Sequence, residues 1–375
     1  MIEQKELFTA LDNMGLDFFT GVPDSLLNDF CLYLVNNLPN DHHVMAANEG
    51  NAIGVAAGYH MATGKVPVVY MQNSGIGNAT NPLLSLTHPT VYSIPLILVI
   101  GWRGDPSVKD HAQHKKQGEL TTVLMEDMDI PYDILDSDDT VIDKFQWAAK
   151  KAKAINAPVA LIAKKAILTQ KEKKQEYADS SLMNREEAIS AILDVLGEDA
   201  IYLATTGRAT RELHEQVAAH GFSHGIEFLN VGAMGHLSSI GLGIALGNPD
   251  KKVVVFDGDA AAVMHMGSLA TNGRYQPSNL IHVVLNNGVN ESVGGQLSSG
   301  QIVDLTTIAN GCGYSTIGRP IEEKKELKQT IKQMAASNHL SFIDVYVRQG
   351  IRKDMPGLKI DHQPAKEDFM NHIKG

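Results

Sequence analysis

Residues 253–288 read VVVFDGDAAAVMHMGSLATNGRYQPSNLIHVVLNNG. An apolar run, Val253–Phe256, breaks into Asp257-Gly258-Asp259-Ala260-Ala261. A stretch of helical length follows, and a second apolar run, Leu280–Leu285, ends in Asn286-Asn287-Gly288. Short, continuous β-rich runs without alternation are the mark of parallel strands buried on both faces. Polar residues that collect where such strands end lie where α/β sheets hold their ligands.

The same pattern extends in both directions. Strands are expected at Val66–Met71, Pro95–Ile100, Val159–Ile162, Ala200–Ala204 and Ser341–Val347. Helices are expected over Asn51–Thr63, Lys144–Lys153, Arg185–Leu196, Ser238–Leu246 and Ile321–Ser337. Alternating strands and helices predict an α/β protein of doubly wound parallel sheets. One stretch, Thr169–Asn184, is polar and charged with no apolar period, and Asn184 with Glu187 reads as a capping box that opens a new helix. Two domains are therefore expected, 1–168 and 184–375, joined by a linker over 169–183.

A net charge of -11 argues against a nucleic-acid or membrane-surface partner. It leaves room for a small anionic substrate in a local basic pocket. Cys31 and Cys312 lie far apart with no CxxC spacing, so neither a disulfide framework nor a structural zinc site is expected. The first fifteen residues read as a polar amphipathic helix rather than a secretion signal. The longest apolar run, Ile94–Ile100, is too short to span a bilayer. A cytoplasmic location fits these features.

Asp259 and Asn287 stand at the ends of two expected neighbouring strands. Both offer oxygen ligands of the kind Mg²⁺ prefers beside a phosphorylated ligand, and Gly258 and Gly288 permit close backbone approach. Two solvated Asp-Gly and Asn-Gly turns are the plain alternative. The loop Gln72–Asn78 and the hydroxyl pair Thr205-Thr206 before Gly207 also sit at strand ends, where binding residues gather. Glu49 heads a helix rich in Ala and Gly, which suits either a carboxylate held close to a flat ligand or a helix-dipole partner.

Gly258-Asp259-Ala260, then the 25 residues Ala261–Leu285, then Asn286-Asn287, resemble the thiamine-diphosphate motif, with Ala260 in place of its third glycine. Asn48-Glu49-Gly50 resembles the activating-glutamate segment of the same enzymes, and Val231–His236 resembles the segment that bends their cofactor. The chain is identified as a member of the thiamine-diphosphate-dependent decarboxylases. Thr20–Leu27, Gly101-Trp102-Arg103-Gly104, Gln113–Gly118, Gly288–Gln296 and Gly350–Asp354 place it nearest the phosphonopyruvate and sulfopyruvate decarboxylases. Asn290-Glu291, where those enzymes usually carry His-Asp, and the tail after Asp354 depart from the pattern.

The resemblance implies two thiamine-diphosphate-binding domains without a middle domain. Thiamine diphosphate and Mg²⁺ are the implied cofactors. Asp259, Asn287 and the carbonyl of Val289 would hold the metal. Thr205, Thr206, Gly207, Gly232, Met234, Gly258, Ala260, Asn73 and Glu49 would contact the cofactor. Glu49 would activate it, with Asp24, His111 and His114 as candidates for proton transfer. Ser25, His114, Lys115 and Arg352 would take an anionic 2-oxo acid. Phosphonopyruvate is the expected substrate, with sulfopyruvate decarboxylation, acetolactate-type carboligation and a non-catalytic cofactor-binding subunit as alternatives. A homodimer or homotetramer with the active site between subunits is implied as well.

Overall fold

A computed structural model describes residues 3–165, 167–168 and 181–374. The chain divides into two compact units, Met1–Gln175 with Val293–Gln296, and Glu176–Ser292 with Leu297–Gly375. Most of the expected linker, 169–180, lies outside the described residues.

The first unit is built on six strands: β1 (Phe19–Gly21), β2 (His43–Met45), β3 (Val68–Gln72), β4 (Ile97–Gly101), β5 (Tyr132–Leu135) and β6 (Val159–Ala163). They form one sheet in the order β2-β1-β3-β4-β6-β5. Its pairings are parallel, with Val68 opposite Ile97 and Ile97 opposite Val159. Successive side chains of a strand point to opposite faces, and the core divides accordingly. Val68, Tyr70, Ile97, Val99, Val159 and Leu161 join one apolar cluster. Val69, Met71, Leu98, Ile100, Ala160 and Ile162 join the other. Helices cover both clusters, and the continuous apolar runs follow from that double coverage.

The second unit repeats the plan. Its strands are β7 (Ile201–Ala204), β8 (Glu227–Leu229), β9 (Val253–Gly258) and β10 (Leu280–Asn286). Two short strands follow, β11 (Val289–Asn290) and β12 (Gln296–Leu297), and then β13 (Ser341–Tyr346). The sheet order is β13-β10-β9-β7-β8, again parallel. Tyr202, Val254, Phe256, Ile281, Val283 and Ile343 pack on one face. Ile201, Val253, Val255, Leu280, Val284 and Phe342 pack on the other. The two doubly wound parallel sheets anticipated from the sequence are both present, and the described chain carries no third sheet domain.

The helix Arg185–Leu196 begins as its sequence predicts. Asn184 accepts from the amide of Glu187 at 2.7 Å, and the Glu187 carboxylate accepts from the amide of Asn184 at 2.7 Å. Helix Glu49–Thr63 starts two residues earlier than expected, because Asn48 caps it through the amide of Asn51 at 2.9 Å. Glu49 is thereby fixed in the first turn. Among the described residues no helix is long and apolar enough to cross a membrane.

The capping box should matter to the second unit as a whole. Asn184→Ala removes an acceptor for a helix-end amide and is expected to lower stability by about 1 kcal/mol. The shift should appear as an earlier urea midpoint of the second unit with unchanged far-ultraviolet circular dichroism at zero urea.

Candidate active-site residues in each unit

In the first unit, the strand ends β1, β3 and β4 gather the polar residues. Glu49 is buried, and its carboxylate accepts from the Asn78 side chain at 2.7 Å. A Cβ on Gly75 would overlap that carboxylate, so glycine at 75 leaves the space Glu49 occupies. Asn73 is spent on bracing: its amide donates to the Arg103 carbonyl at 2.7 Å and to Thr121 at 2.9 Å, and its oxygen accepts from the Arg103 amide. The side chain that was expected to touch a cofactor therefore holds the loop after β4.

That loop presents Arg103, which the sequence reading did not select as a site residue. Its guanidinium grips Asp110 through two bonds of 2.8 and 2.6 Å and donates to the Ser25 hydroxyl at 3.0 Å. The Arg103 contact holds Asp110 well below the usual carboxylate range. Asp24 is fully buried and takes a 2.7 Å bond from Gln72. Its second oxygen has no partner among the described residues and points where a Cβ on Gly101 would lie. Burial raises the Asp24 pKa against the pull of Gln72, two backbone amides and Arg103.

His114 sits half-buried near Arg103, with its Nδ1 unpartnered among the described residues. Burial and the Arg103 charge lower its pKa. His111 and Lys115 are exposed at the start of helix Ala112–Asp127, and Lys116 pairs with Glu119 at 3.0 Å. Asp24, Ser25, Arg103 and His114 thus form one polar group linked through the Arg103 guanidinium.

In the second unit, Thr205, Thr206, Gly207, Met234, Gly258, Asp259, Ala260, Asn287 and Val289 line a single cavity at the carboxyl ends of β7, β9 and β10. Gly232 is not among its lining residues. Gly207 has φ 110° and ψ -127°, open in practice only to glycine, so the helix Arg208–Ala219 can begin at the cavity wall. Asp259 is buried. Desolvation pushes its pKa up to about 6, although Ser298 and the amides of Asp259, Ala260 and Asn287 donate to it. A carboxylate so placed favours a cation beside it. The Thr205 hydroxyl is buried in the same wall without a partner among the described residues.

Asn287 is oriented from behind. Its nitrogen donates to Glu291 at 3.0 Å, and its oxygen accepts from the amide of Val289 at 3.2 Å. An acceptor-only carboxylate on one side fixes which end of the amide is oxygen, and that oxygen keeps a lone pair for a ligand. Glu291 in turn pairs with Arg185 at 2.6 Å and Arg208 at 2.7 Å and accepts from the amide of Gly350. Arg185 is buried and also grips Glu212 at 2.8 and 3.0 Å. Neither Glu291 nor Arg185 was selected from the sequence. The departure at Asn290-Glu291 was the one signal that bore on them.

Arg352 is placed elsewhere. It pairs with Glu186, Glu215 and Asp354 at 3.0–3.1 Å on an open surface groove of the second unit, outside the cavity around Asp259. Its position just past the last strand suggested a ligand for an anion, but three carboxylates already claim its charge.

Glu291→Ala would strip Arg208 of the carboxylate it pairs with, leave buried Arg185 with Glu212 as its one remaining carboxylate partner among the described residues, and remove the acceptor of the Asn287 side chain. Breaking a buried ion pair from one side costs about 3–5 kcal/mol. Denaturant titration of the purified variant should show a loss of that order, and a change under about 1 kcal/mol would contradict the structural weight assigned to this carboxylate.

Comparison with known proteins places these residues in context. Residues 4–125 match the family model "Thiamine pyrophosphate enzyme, N-terminal TPP binding domain", and residues 205–345 match "Thiamine pyrophosphate enzyme, C-terminal TPP binding domain". The chain is 31% identical to the phosphonopyruvate decarboxylase of Streptomyces viridochromogenes, over 93% of this chain and 89% of the relative. It is 33% identical to that of Streptomyces hygroscopicus, over 84% and 80%. It is 26% identical to the sulfopyruvate decarboxylase of Methanosarcina acetivorans, over 98% and 96%.

Proposed function

The chain belongs to the thiamine pyrophosphate enzymes, in the group of the phosphonopyruvate and sulfopyruvate decarboxylases, and on that premise we propose that it converts 3-phosphonopyruvate to phosphonoacetaldehyde and CO₂ with Mg²⁺ as the second cofactor. It is a carboxy-lyase that uses thiamine diphosphate to decarboxylate a keto acid. The choice of phosphonopyruvate is supported by the two phosphonopyruvate decarboxylases, which are 31% and 33% identical to this chain against 26% for the Methanosarcina sulfopyruvate decarboxylase. A role in phosphonate biosynthesis, in the cytoplasm, is part of the same proposal.

The observation that carries the cofactor assignment is the cavity of the second unit, which gathers Thr205, Asp259, Asn287 and Val289. Its residues fit a metal-held diphosphate: a desolvated carboxylate, an amide oxygen fixed from behind, a main-chain carbonyl and an unpaired buried hydroxyl. In this proposal Asp259, Asn287 and the Val289 carbonyl hold Mg²⁺. Thr205, Thr206, Gly207, Gly258 and Ala260 face the diphosphate, while Gly232 and Met234 support the bend of the molecule.

Glu49 is proposed to exchange a proton with the pyrimidine ring, its carboxylate steadied by Asn78 and given space by Gly75. Asn73 serves the same pocket by bracing the Arg103 loop. When bound, thiamine diphosphate supplies the electron sink that lets the substrate carboxylate leave as CO₂. An anionic substrate would meet Ser25, His114 and Lys115. Arg103 joins this group in place of Arg352, since its guanidinium is already aimed at Ser25. Asp24, His111 and His114 remain the candidates to deliver the final proton. Domains at 1–168 and 184–375, and a homodimer or homotetramer in which Glu49 of one subunit serves the metal site of another, complete the proposal.

Sulfopyruvate is the second reading, favoured by the relative that matches this chain almost end to end. Purified protein with thiamine diphosphate and Mg²⁺ is expected to turn over phosphonopyruvate faster than sulfopyruvate or pyruvate, in a coupled aldehyde assay. No aldehyde from phosphonopyruvate would end the substrate proposal.

Glu49→Gln should lose nearly all decarboxylation while keeping its circular dichroism and its cofactor-dependent melting shift; wild-type turnover in that variant would sink the role given to Glu49. Asp259 must be ionised to hold a cation. Apparent Mg²⁺ affinity, measured by calorimetry with saturating thiamine diphosphate, should therefore fall up to about tenfold per pH unit below about pH 6 and level off above it.

A further inference from the structure

A second cluster of metal-ligating side chains lies on the β8 edge of the second unit, unconnected with the residues above. His214 comes from helix Arg208–Ala219, His224 from the turn His224–Ile226, and Glu227 from the start of β8. One ligand atom of each lies within 4.8 Å of the other two, and this is the only such trio among the described residues. The two imidazole rings stack at 4.1 Å. Both Nδ1 atoms converge on one oxygen, Oε1 of Glu227, at 2.6 and 2.7 Å.

The second oxygen of Glu227 decides the matter. The Glu227 side chain is only 3% exposed, and Oε2 has no hydrogen-bond partner among the described residues. A buried carboxylate oxygen left unpaired is costly, and buried charges are normally paired or bound to metals. The same three side chains line a cavity to which the C-terminal helix His362–Lys374 contributes His362, Lys366 and Asp368. That helix packs on the strand through Phe369 against Phe228, ring centroids 5.7 Å apart.

We propose that His214, His224 and Glu227 form a binding site for a transition-metal dication of the zinc type, between β8 and the C-terminal helix. Two imidazoles and one carboxylate are a donor set that Zn²⁺ accepts with water in the fourth position. Mg²⁺ and Ca²⁺ prefer oxygen-only sets, so the ion proposed for Asp259 would not compete here. An ion at this position would tie helix Arg208–Ala219 and the turn His224–Ile226 to the edge strand β8.

The test uses the full, untagged chain, stripped with chelator and then saturated with thiamine diphosphate and Mg²⁺. Titration with ZnCl₂ in a calorimeter should show one equivalent per chain. His214→Gln and His224→Gln should each weaken that equivalent by more than the about 10–100-fold that loss of an outer-shell hydrogen bond costs. His220→Gln, whose ring pairs instead with Asp194 at 3.2 Å, should leave it unchanged. Co²⁺ in place of Zn²⁺ should give the intense visible absorption of a tetrahedral site. Should His214→Gln impair folding, His224→Gln still decides the question, because that ring is 47% exposed. Zn²⁺ should then raise the melting temperature of the wild type and not of His224→Gln. Absence of a saturable equivalent, or equal Zn²⁺ affinity in wild type and both variants, would reduce the trio to a hydrogen-bonded brace and overturn the proposal.

Discussion

The pairings in both sheets are parallel, and each sheet is covered by apolar clusters on two faces. A strand buried in this way can carry little chemistry along its length. Polar side chains are tolerated where the chain leaves the sheet, and all strands of a parallel sheet leave on the same side. Glu49, Asn73 and Arg103 in one unit, and Thr205, Asp259 and Asn287 in the other, stand at or just beyond such exits. Their convergence follows from strand direction before any ligand is considered.

The same constraint explains which parts of the fold are legible in the sequence. β3, β4, β6, β7, β9, β10 and β13 stand out because burial on both faces makes them continuous apolar runs. β2, β5 and β8 were not anticipated. All three are edge strands of three or four residues with half-exposed positions, so their composition is mixed and too short to show a period. β1 is central, but Phe19–Gly21 is no longer than one alternation. Much of the cavity of the second unit was readable because Gly258, Asp259, Ala260, Asn287 and Val289, which line it, lie on two motifs that follow one another in the sequence. Arg185 was not, since its partners Glu212, Glu291 and Gly350 come from distant elements; Arg103 and the His214-His224-Glu227 trio have partners nearer in sequence, but at spacings that match no motif. Arg352 is the opposite case: local position suggests an anion site, and long-range packing adds ion pairs with Glu186 and Glu215 that the sequence does not announce.

Glu291 illustrates how an ionic group can specify a site without stabilising it greatly. A buried ion pair often contributes little net stability, because desolvation cancels most of the attraction. Here the carboxylate receives Arg185, Arg208, the amide of Gly350 and the side chain of Asn287. The first three satisfy its charge and fix its position; the fourth transmits that position to an oxygen at the cavity wall. Supporting contacts of this kind commonly set a ligand's orientation and affinity. The departure from the usual His-Asp pair at Asn290-Glu291 therefore falls where the cavity is held in shape.

Charge in the first unit has a comparable logic. The whole chain is acidic, so an anionic substrate must be drawn by a local arrangement rather than by the net field. Arg103 would be the obvious attractor, yet Asp110 neutralises most of it through paired bonds of 2.6 and 2.8 Å. What remains is direction: the bidentate grip leaves Nη1 pointing at Ser25, so the guanidinium offers a fixed donor rather than a free charge. Asp24 stands close by, fully buried, with burial raising its pKa and one oxygen unpaired. A carboxyl in that setting keeps its proton more readily than a surface carboxylate, while desolvation and the Arg103 charge make His114 less ready to take one. Both shifts favour the neutral form of the group, and they bring the proton affinities of this carboxyl and this imidazole closer together than those of the same groups in water.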